Sequence, residues 1–130
     1  MKSNTITIII NKSPQEIFDF TLNPNNTPKW IDSIIKEEID VTPPKLGSVY
    51  RNVNRQGVWS EYHVTEFLNG TRFTMASKDG NYHVLYTFTP KERNVTELEY
   101  YEWVDNGDLE GPFTKDILEK LKQIIETNNI

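Results

Sequence analysis

Ile6, Ile8 and Ile10 alternate with Thr5, Thr7 and Ile9 near the start of the chain. Successive side chains of a strand point to opposite faces, so this period of two predicts a half-buried β-strand. Ser13-Pro14-Gln15-Glu16 then marks a helix start. Ser13 can cap, Pro14 suits the first helical position, and Glu16 can reach back to close a capping box. Ile17, Phe18, Thr21 and Leu22 supply the apolar stripe, and Asn23-Pro24 and Thr27-Pro28 interrupt it. Two short helices or turns are expected between residues 14 and 33. The period returns to two where Ile35, Glu37, Ile39 and Val41 share a mostly apolar face opposite Ile34, Lys36, Glu38 and Asp40.

Pro43-Pro44-Lys45-Leu46-Gly47 is a turn, since neither proline could donate to a central ladder. Strands are expected at 48–54, 58–67 and 71–77, separated by the loop Arg55-Gln56-Gly57 and the tight turn Asn69-Gly70. Asp79-Gly80 introduces another strand, in which Tyr82, Val84, Tyr86 and Phe88 alternate up to Pro90. Thr96, Leu98, Tyr100 and Val104 mark the last one. After Gly111-Pro112 the period changes to that of a helix: Phe113, Ile117, Leu121 and Ile124 recur, flanked by Leu118 and Ile125, with Lys115, Glu119, Lys122 and Glu126 opposite.

This order predicts an α+β domain over residues 1–130: a curved seven-stranded antiparallel sheet, two short N-terminal helices and a long C-terminal helix. Hairpin-linked strands form a meander, and the first strand must pair at an edge of it. The sheet has one apolar face that needs cover. Only the C-terminal helix has the length and stripe to supply it, and twist curls the sheet around that helix. A single rod across a curved sheet leaves a gap, which is where a ligand is expected.

Composition narrows the chemistry. The 130 residues contain no cysteine and carry a formal charge of −5, so disulfides and thiolate metal sites are excluded. No basic stripe of the kind that displaces counterions from phosphate is visible, and nucleic acid is not an expected partner. The N-terminus lacks the apolar core of a signal peptide. No stretch approaches the roughly 18 apolar residues of a membrane span, so a cytoplasmic address is expected. Asn-x-Ser/Thr triplets at Asn11, Asn25, Asn69 and Asn94 read as chance in an Asn-rich chain. Three Trp, six Tyr and six Phe are a generous aromatic share, and the tyrosines point to a partly polar interior. There is no nucleophile elbow, phosphate loop or metal-ligand spacing. Neither a cofactor nor a metal is expected.

The segment 8–30, with Ser13-Pro14-Gln15-Glu16-Ile17-Phe18-Asp19-Phe20 followed by Asn23-Pro24-Asn25-Asn26-Thr27-Pro28-Lys29-Trp30, resembles the opening of the START-like (SRPBCC) superfamily. The likeness is greatest to its polyketide cyclase/dehydrase and lipid-transport branch. Leu46-Gly47-Ser48-Val49-Tyr50, Val64-Thr65-Glu66-Phe67 and Tyr86-Thr87-Phe88-Thr89-Pro90 fit the same pattern. The resemblance spans the chain but consists of fold-forming residues. It implies the helix-grip fold and an apolar cavity, made small or open by the short tail, and it fixes no reaction.

Strand parity selects the side chains that face this cavity. They are Tyr82, Val84, Tyr86 and Phe88; Thr96, Leu98, Tyr100 and Glu102; Tyr62; and Phe73 and Met75. Phe113, Ile117 and Leu121 face them from the helix, and Trp30 from the short-helix end. Val49, Arg51 and Val53 share a face, so Arg51 and Glu102 form a candidate inward charge pair or carboxylate receptor; a bulged or early-ending strand would leave either charge in solvent. Glu61 and His63 project side by side, as a proton-transfer pair would. Parity places them outward with Trp59 and Thr65, and His83 is read as a surface residue.

Three functions remain: a binding protein for a small hydrophobic molecule such as a lipid or polyketide-like aromatic, a cyclase- or dehydratase-type enzyme acting on one, and a co-chaperone-like interaction module. No catalytic residue is assigned. The outward Trp59 and Trp103 keep the third reading open, and they would equally suit a homodimer interface.

Overall fold

The computed structural model describes residues 1–127. The elements run β1 (Ser3–Ile10), α1 (Pro14–Leu22), α2 (Thr27–Trp30), β2 (Ile34–Ile39), β3 (Val49–Asn54), β4 (Trp59–Leu68), β5 (Arg72–Ser77), β6 (Tyr82–Glu92), β7 (Val95–Val104) and α3 (Lys115–Thr127). The strands form one antiparallel sheet in the order β1-β7-β6-β5-β4-β3-β2. Consecutive hairpins build it from β2 to β7, and β1 returns to the far edge, pairing Ile6 with Tyr100 and Ile8 with Leu98. This is the meander closed by its first strand that the turn spacing predicts. Among the described residues, no helix is long and apolar enough to cross a membrane.

Local chemistry explains the boundaries. Ser13 caps α1: its hydroxyl accepts from the Glu16 amide at 3.2 Å, and the Glu16 carboxylate accepts from the Ser13 amide at 3.3 Å. Both orphan donors at the helix start are thereby satisfied. Removing the hydroxyl in Ser13→Ala is expected to cost about 1 kcal/mol, measurable as a lower urea midpoint with an unchanged m-value. The hairpin between β4 and β5 turns at Gly70, whose φ of +73° suits glycine.

One face of the sheet is sealed by α1, α2 and α3. Ile10, Ile17, Phe18, Leu98, Leu118 and Leu121 are almost wholly buried there. The helix stripe expected from Phe113, Ile117, Leu121 and Ile124 needs a correction. Phe113 precedes α3, and the deepest residues of the helix are Leu118, Leu121 and Ile125, with Ile117 and Ile124 half-buried beside them. Five apolar residues of α3 make a broad stripe, and its centre depends on how the helix lies against β1 and α2, which periodicity does not encode.

Candidate functional site

Where α2 and the approach to α3 lie over the middle of the sheet, packing is incomplete. A cavity of about 120 Å3 remains, bordered by Thr21, Thr27, Trp30, Ile31, Ile34, Glu37, Asn52, Tyr62, Phe73, Met75, Tyr82, Val84, Tyr86, Tyr100 and Phe113. A run of touching rings forms much of its wall. Trp30 meets Phe113 edge-on at 6.1 Å, Phe113 stacks on Tyr100 at 4.4 Å, and Tyr100 meets Tyr86 edge-on at 5.2 Å. Tyr86 stacks on Phe73 at 4.6 Å. Offset and edge-on contacts of this kind hold ring orientations firmly. Burial pushes the phenols of Tyr82, Tyr86 and Tyr100 well above the usual tyrosine range, and that of Tyr62 upward too. At neutral pH all four therefore remain protonated donors.

The polar end of the cavity comes from β2, β3 and α2. Glu37 accepts the Thr27 hydroxyl at 2.5 Å and the Asn52 amide at 3.1 Å. Loss of water around the carboxyl raises its pKa, against the opposing pull of these two bonds. Trp30 lies on the same wall. It is 2 % exposed, and its indole N–H has no acceptor among the described residues. A buried donor without a partner costs free energy that a ligand oxygen would recover.

Of the residues selected by parity, Trp30, Tyr62, Phe73, Met75, Tyr82, Val84, Tyr86, Tyr100 and Phe113 border this cavity. Phe88, Leu98 and Leu121 are packed core instead, and Ile117 packs against that core. Glu102 does face inward, at 2 % exposure, but its oxygens are taken by protein donors. They accept from the Tyr82 hydroxyl at 2.8 Å, the Tyr100 hydroxyl at 3.5 Å, Asn4 Nδ2 at 2.9 Å and the Phe113 amide at 2.8 Å.

Arg51 is the clear correction. Its side chain points to solvent, 3.7 Å from Glu38 and with its guanidinium 5.3 Å from the Trp59 ring. It does not meet Glu102. The inward residues of β3 are Tyr50 and Asn52, whose partners on β2 are Ile39 and Glu37. Apolar Val49 and Val53 suggested the opposite phase because the true inner face carries Asn52, a polar residue that the Glu37 carboxyl satisfies. On β2, an irregularity between Ile34 and Lys36 turns Ile35 out to 51 % exposure and leaves Ile34 on the cavity side. Glu37 and Asn52 are thus polar site residues that parity did not single out, and Thr21, Thr27, Ile31 and Ile34 border the cavity without having been selected. The available signal was a lone carboxyl in phase with Ile39.

The outer face behaves as its parity predicts. His63 lies 2.8 Å from Glu61, and this bond, ahead of smaller effects, holds the Glu61 carboxyl below the usual range. His83 stacks on Trp103 at 4.7 Å and bonds Asp105 at 2.9 Å. A broader hollow, open to solvent and bordered by Arg51, Trp59, Glu61, Lys78 and Asp79 among others, shares Tyr62 and Tyr82 with the inner cavity. The inner cavity is the better site, being walled by rings and having a polar end built from Glu37, Thr27 and Asn52.

A long C-terminal helix laid across a curled antiparallel sheet defines a helix-grip protein, and here the cavity lies beside that helix, under α2 and Phe113. The match to a family model over residues 1–128 makes the assignment specific: the chain belongs to the polyketide cyclase / dehydrase and lipid transport family. Solved structures share the fold at low identity. The protein XoxI from Bacillus cereus is 18 % identical, with 98 % of this chain and 97 % of that one covered at a TM-score of 0.75. Protein MLL2253 from Mesorhizobium loti is 15 % identical over 98 % and 100 % of the two chains, at a TM-score of 0.74. The Aha1 dimer from Colwellia psychrerythraea is 15 % identical over 99 % of each, at a TM-score of 0.71. No curated protein sequence matches this one.

Proposed function

We propose that this protein binds a small, largely apolar molecule carrying a polar group, held between the sheet and the helices. The observation that carries the reading is the cavity itself: an aromatic wall ending in the Glu37–Thr27–Asn52 cluster and the unpartnered Trp30 N–H. Sites for small molecules have this composition, an apolar surround with a few placed polar groups. Volume sets the size of the guest. An apolar cavity of about 150 Å3 takes benzene, whereas drug-sized ligands occupy roughly 300–1,000 Å3. At about 120 Å3 the cavity suits a compact ring or branched head, and an acyl chain would require α2 or the Phe113 segment that covers it to move.

Native mass spectrometry of freshly purified protein, followed by NMR titration with small phenols and a long-chain fatty acid, tests this. A retained small molecule, or saturable phenol shifts at Trp30, Tyr100 and Phe113 with no saturable fatty-acid binding, is the expected result. If nothing is retained and no small probe produces saturable shifts, the cavity is only a packing defect and the proposal fails.

A further inference from the structure

Resting on that reading, the nature of the cavity wall narrows the guest further. The polar end presents a carboxyl, and the side chains bordering the cavity include no Lys, Arg or His. Glu37 is already bonded by Thr27 and Asn52, one donor on each oxygen. Both donors are neutral, so an ionised Glu37 would sit in the wall with hydrogen bonds but without a countercharge. Burial of an uncompensated charge is costly, and a cation entering the cavity would remove that cost.

The remaining wall suits the same guest. Trp30, Tyr62, Tyr82, Tyr86, Tyr100 and Phe113 present rings around a space about the size of a compact alkylated head, and ring faces attract cations most strongly where water is excluded. Behind them, the Tyr82 hydroxyl donates to Glu102 at 2.8 Å, which turns the phenol's positive end away and leaves its ring richer in electrons. We infer that the preferred ligand is a small alkylated ammonium ion, caged by these rings and neutralised by Glu37, with any hydroxyl or carbonyl it bears available to the Trp30 N–H.

Alkylation matters because a quaternary or tertiary head is weakly hydrated and gives up little on entering an aromatic cage. A phosphate or carboxylate guest would meet Glu37 with like charge and find no basic partner. The lining therefore disfavours anionic lipids as well as acyl chains.

The pH dependence follows from the same geometry. The titratable groups that feel the charge of Glu37 are the phenols of Tyr50 on β3, Tyr62 on β4 and Tyr86 on β6, all raised and neutral at ordinary pH. Lys36 and Glu38 flank it on β2 but are exposed, and Lys29 of α2 is exposed too. Burial raises the Glu37 pKa, and only its ionised form can neutralise a cation. Affinity for the cation should rise with pH from the ordinary carboxylate range and level off above the raised value, while affinity for a neutral guest stays flat.

The test uses choline and its neutral isostere 3,3-dimethylbutan-1-ol, titrated by NMR into the full chain and into Glu37→Gln at several pH values. Choline is expected to bind at least tenfold more tightly than the alcohol near neutral pH. Glu37→Gln should remove most of that preference, with choline losing far more affinity than the alcohol, and the wild-type pH series gives an answer even if the variant does not fold. Equal or tighter binding of the alcohol, a flat pH profile for choline, or an unchanged preference in Glu37→Gln each overturns the inference. Binding of phenol with no binding of choline overturns it too, yet leaves the small-molecule reading intact. Only failure of every probe defeats both.

Discussion

Phe18→Ala is expected to lower the unfolding free energy by about 4 kcal/mol, in the range for deleting a buried aromatic side chain. The ring is 1 % exposed and is the point where α1 locks onto the sheet. It meets Phe67, Phe73 and Phe88 edge-on, at 5.5, 5.7 and 5.5 Å. Its three partners come from β4, β5 and β6, so truncation opens a void touching three strands at once. Surrounding backbone is paired into the sheet and cannot collapse into the gap, which puts the loss toward the upper part of the range. Against a typical domain stability of roughly 5–15 kcal/mol, this is a large fraction. Urea unfolding would show it as a much lower midpoint. Phe18→Leu, which retains most of the volume, should cost under about 1.5 kcal/mol. A loss below about 2 kcal/mol for the alanine variant would mean that α1 is not anchored through this ring. Phe18 does not border the cavity beneath α2, so the leucine variant should leave the proposed binding unchanged.

Glu102→Leu is expected to cost about 3–5 kcal/mol by a different route, since it leaves buried donors without acceptors. The Glu102 carboxylate gathers Asn4 of β1, Tyr82 of β6, Tyr100 of β7 and the amide of Phe113 just before α3. Leucine fills similar space but accepts nothing. The two phenols can rotate their hydroxyls toward other acceptors, whereas the Phe113 N–H is fixed by the backbone. Glu102→Gln therefore separates charge from hydrogen bonding. With its carbonyl turned to Asn4 and Phe113 and its amide to the phenols, it should recover about half of the loss. Thermal unfolding is a suitable readout, because about 1 kcal/mol moves Tm by roughly 2–8 °C in domains of this size range. A Glu102→Leu protein as stable as wild type would show that these bonds give no net stability. The same variant should loosen Phe113, and with it one wall of the cavity, so ligand affinity is expected to fall along with Tm.

Most of the fold was legible in the sequence. Alternation in Tyr82, Val84, Tyr86 and Phe88 and in Thr96, Leu98 and Tyr100 identified the inner faces of β6 and β7, because both are central strands whose inner faces are built almost entirely of apolar and aromatic residues. Ser13-Pro14-Gln15-Glu16 identified the start of α1, because capping is decided within one turn of chain. The tight turns and the return of β1 to the sheet edge followed from short-range chemistry and connection rules in the same way.

The candidate site was only half legible. Its aromatic wall comes from strands whose pattern is clean, and its polar end from strands whose pattern is not. On β3 the valines that suggested an inward Arg51 lie on the outer face, while Asn52 faces in because Glu37 is there to accept its hydrogen bond. On β2 an irregular pairing exposes Ile35 and leaves Ile34 on the cavity side. Neither fact can be read from one strand, since each depends on the neighbour across the ladder.

The sequence by itself thus determined the order of elements, the caps and turns, and the aromatic character of the interior, all of which rest on local geometry and period. Tertiary structure decided the rest: which phase of α3 is buried, that Glu102 is used up by protein donors while Glu37 borders the cavity, and how much space remains between helix and sheet. Those outcomes depend on distances between residues far apart in the chain, set by the curl of the sheet and the seating of the helices against it.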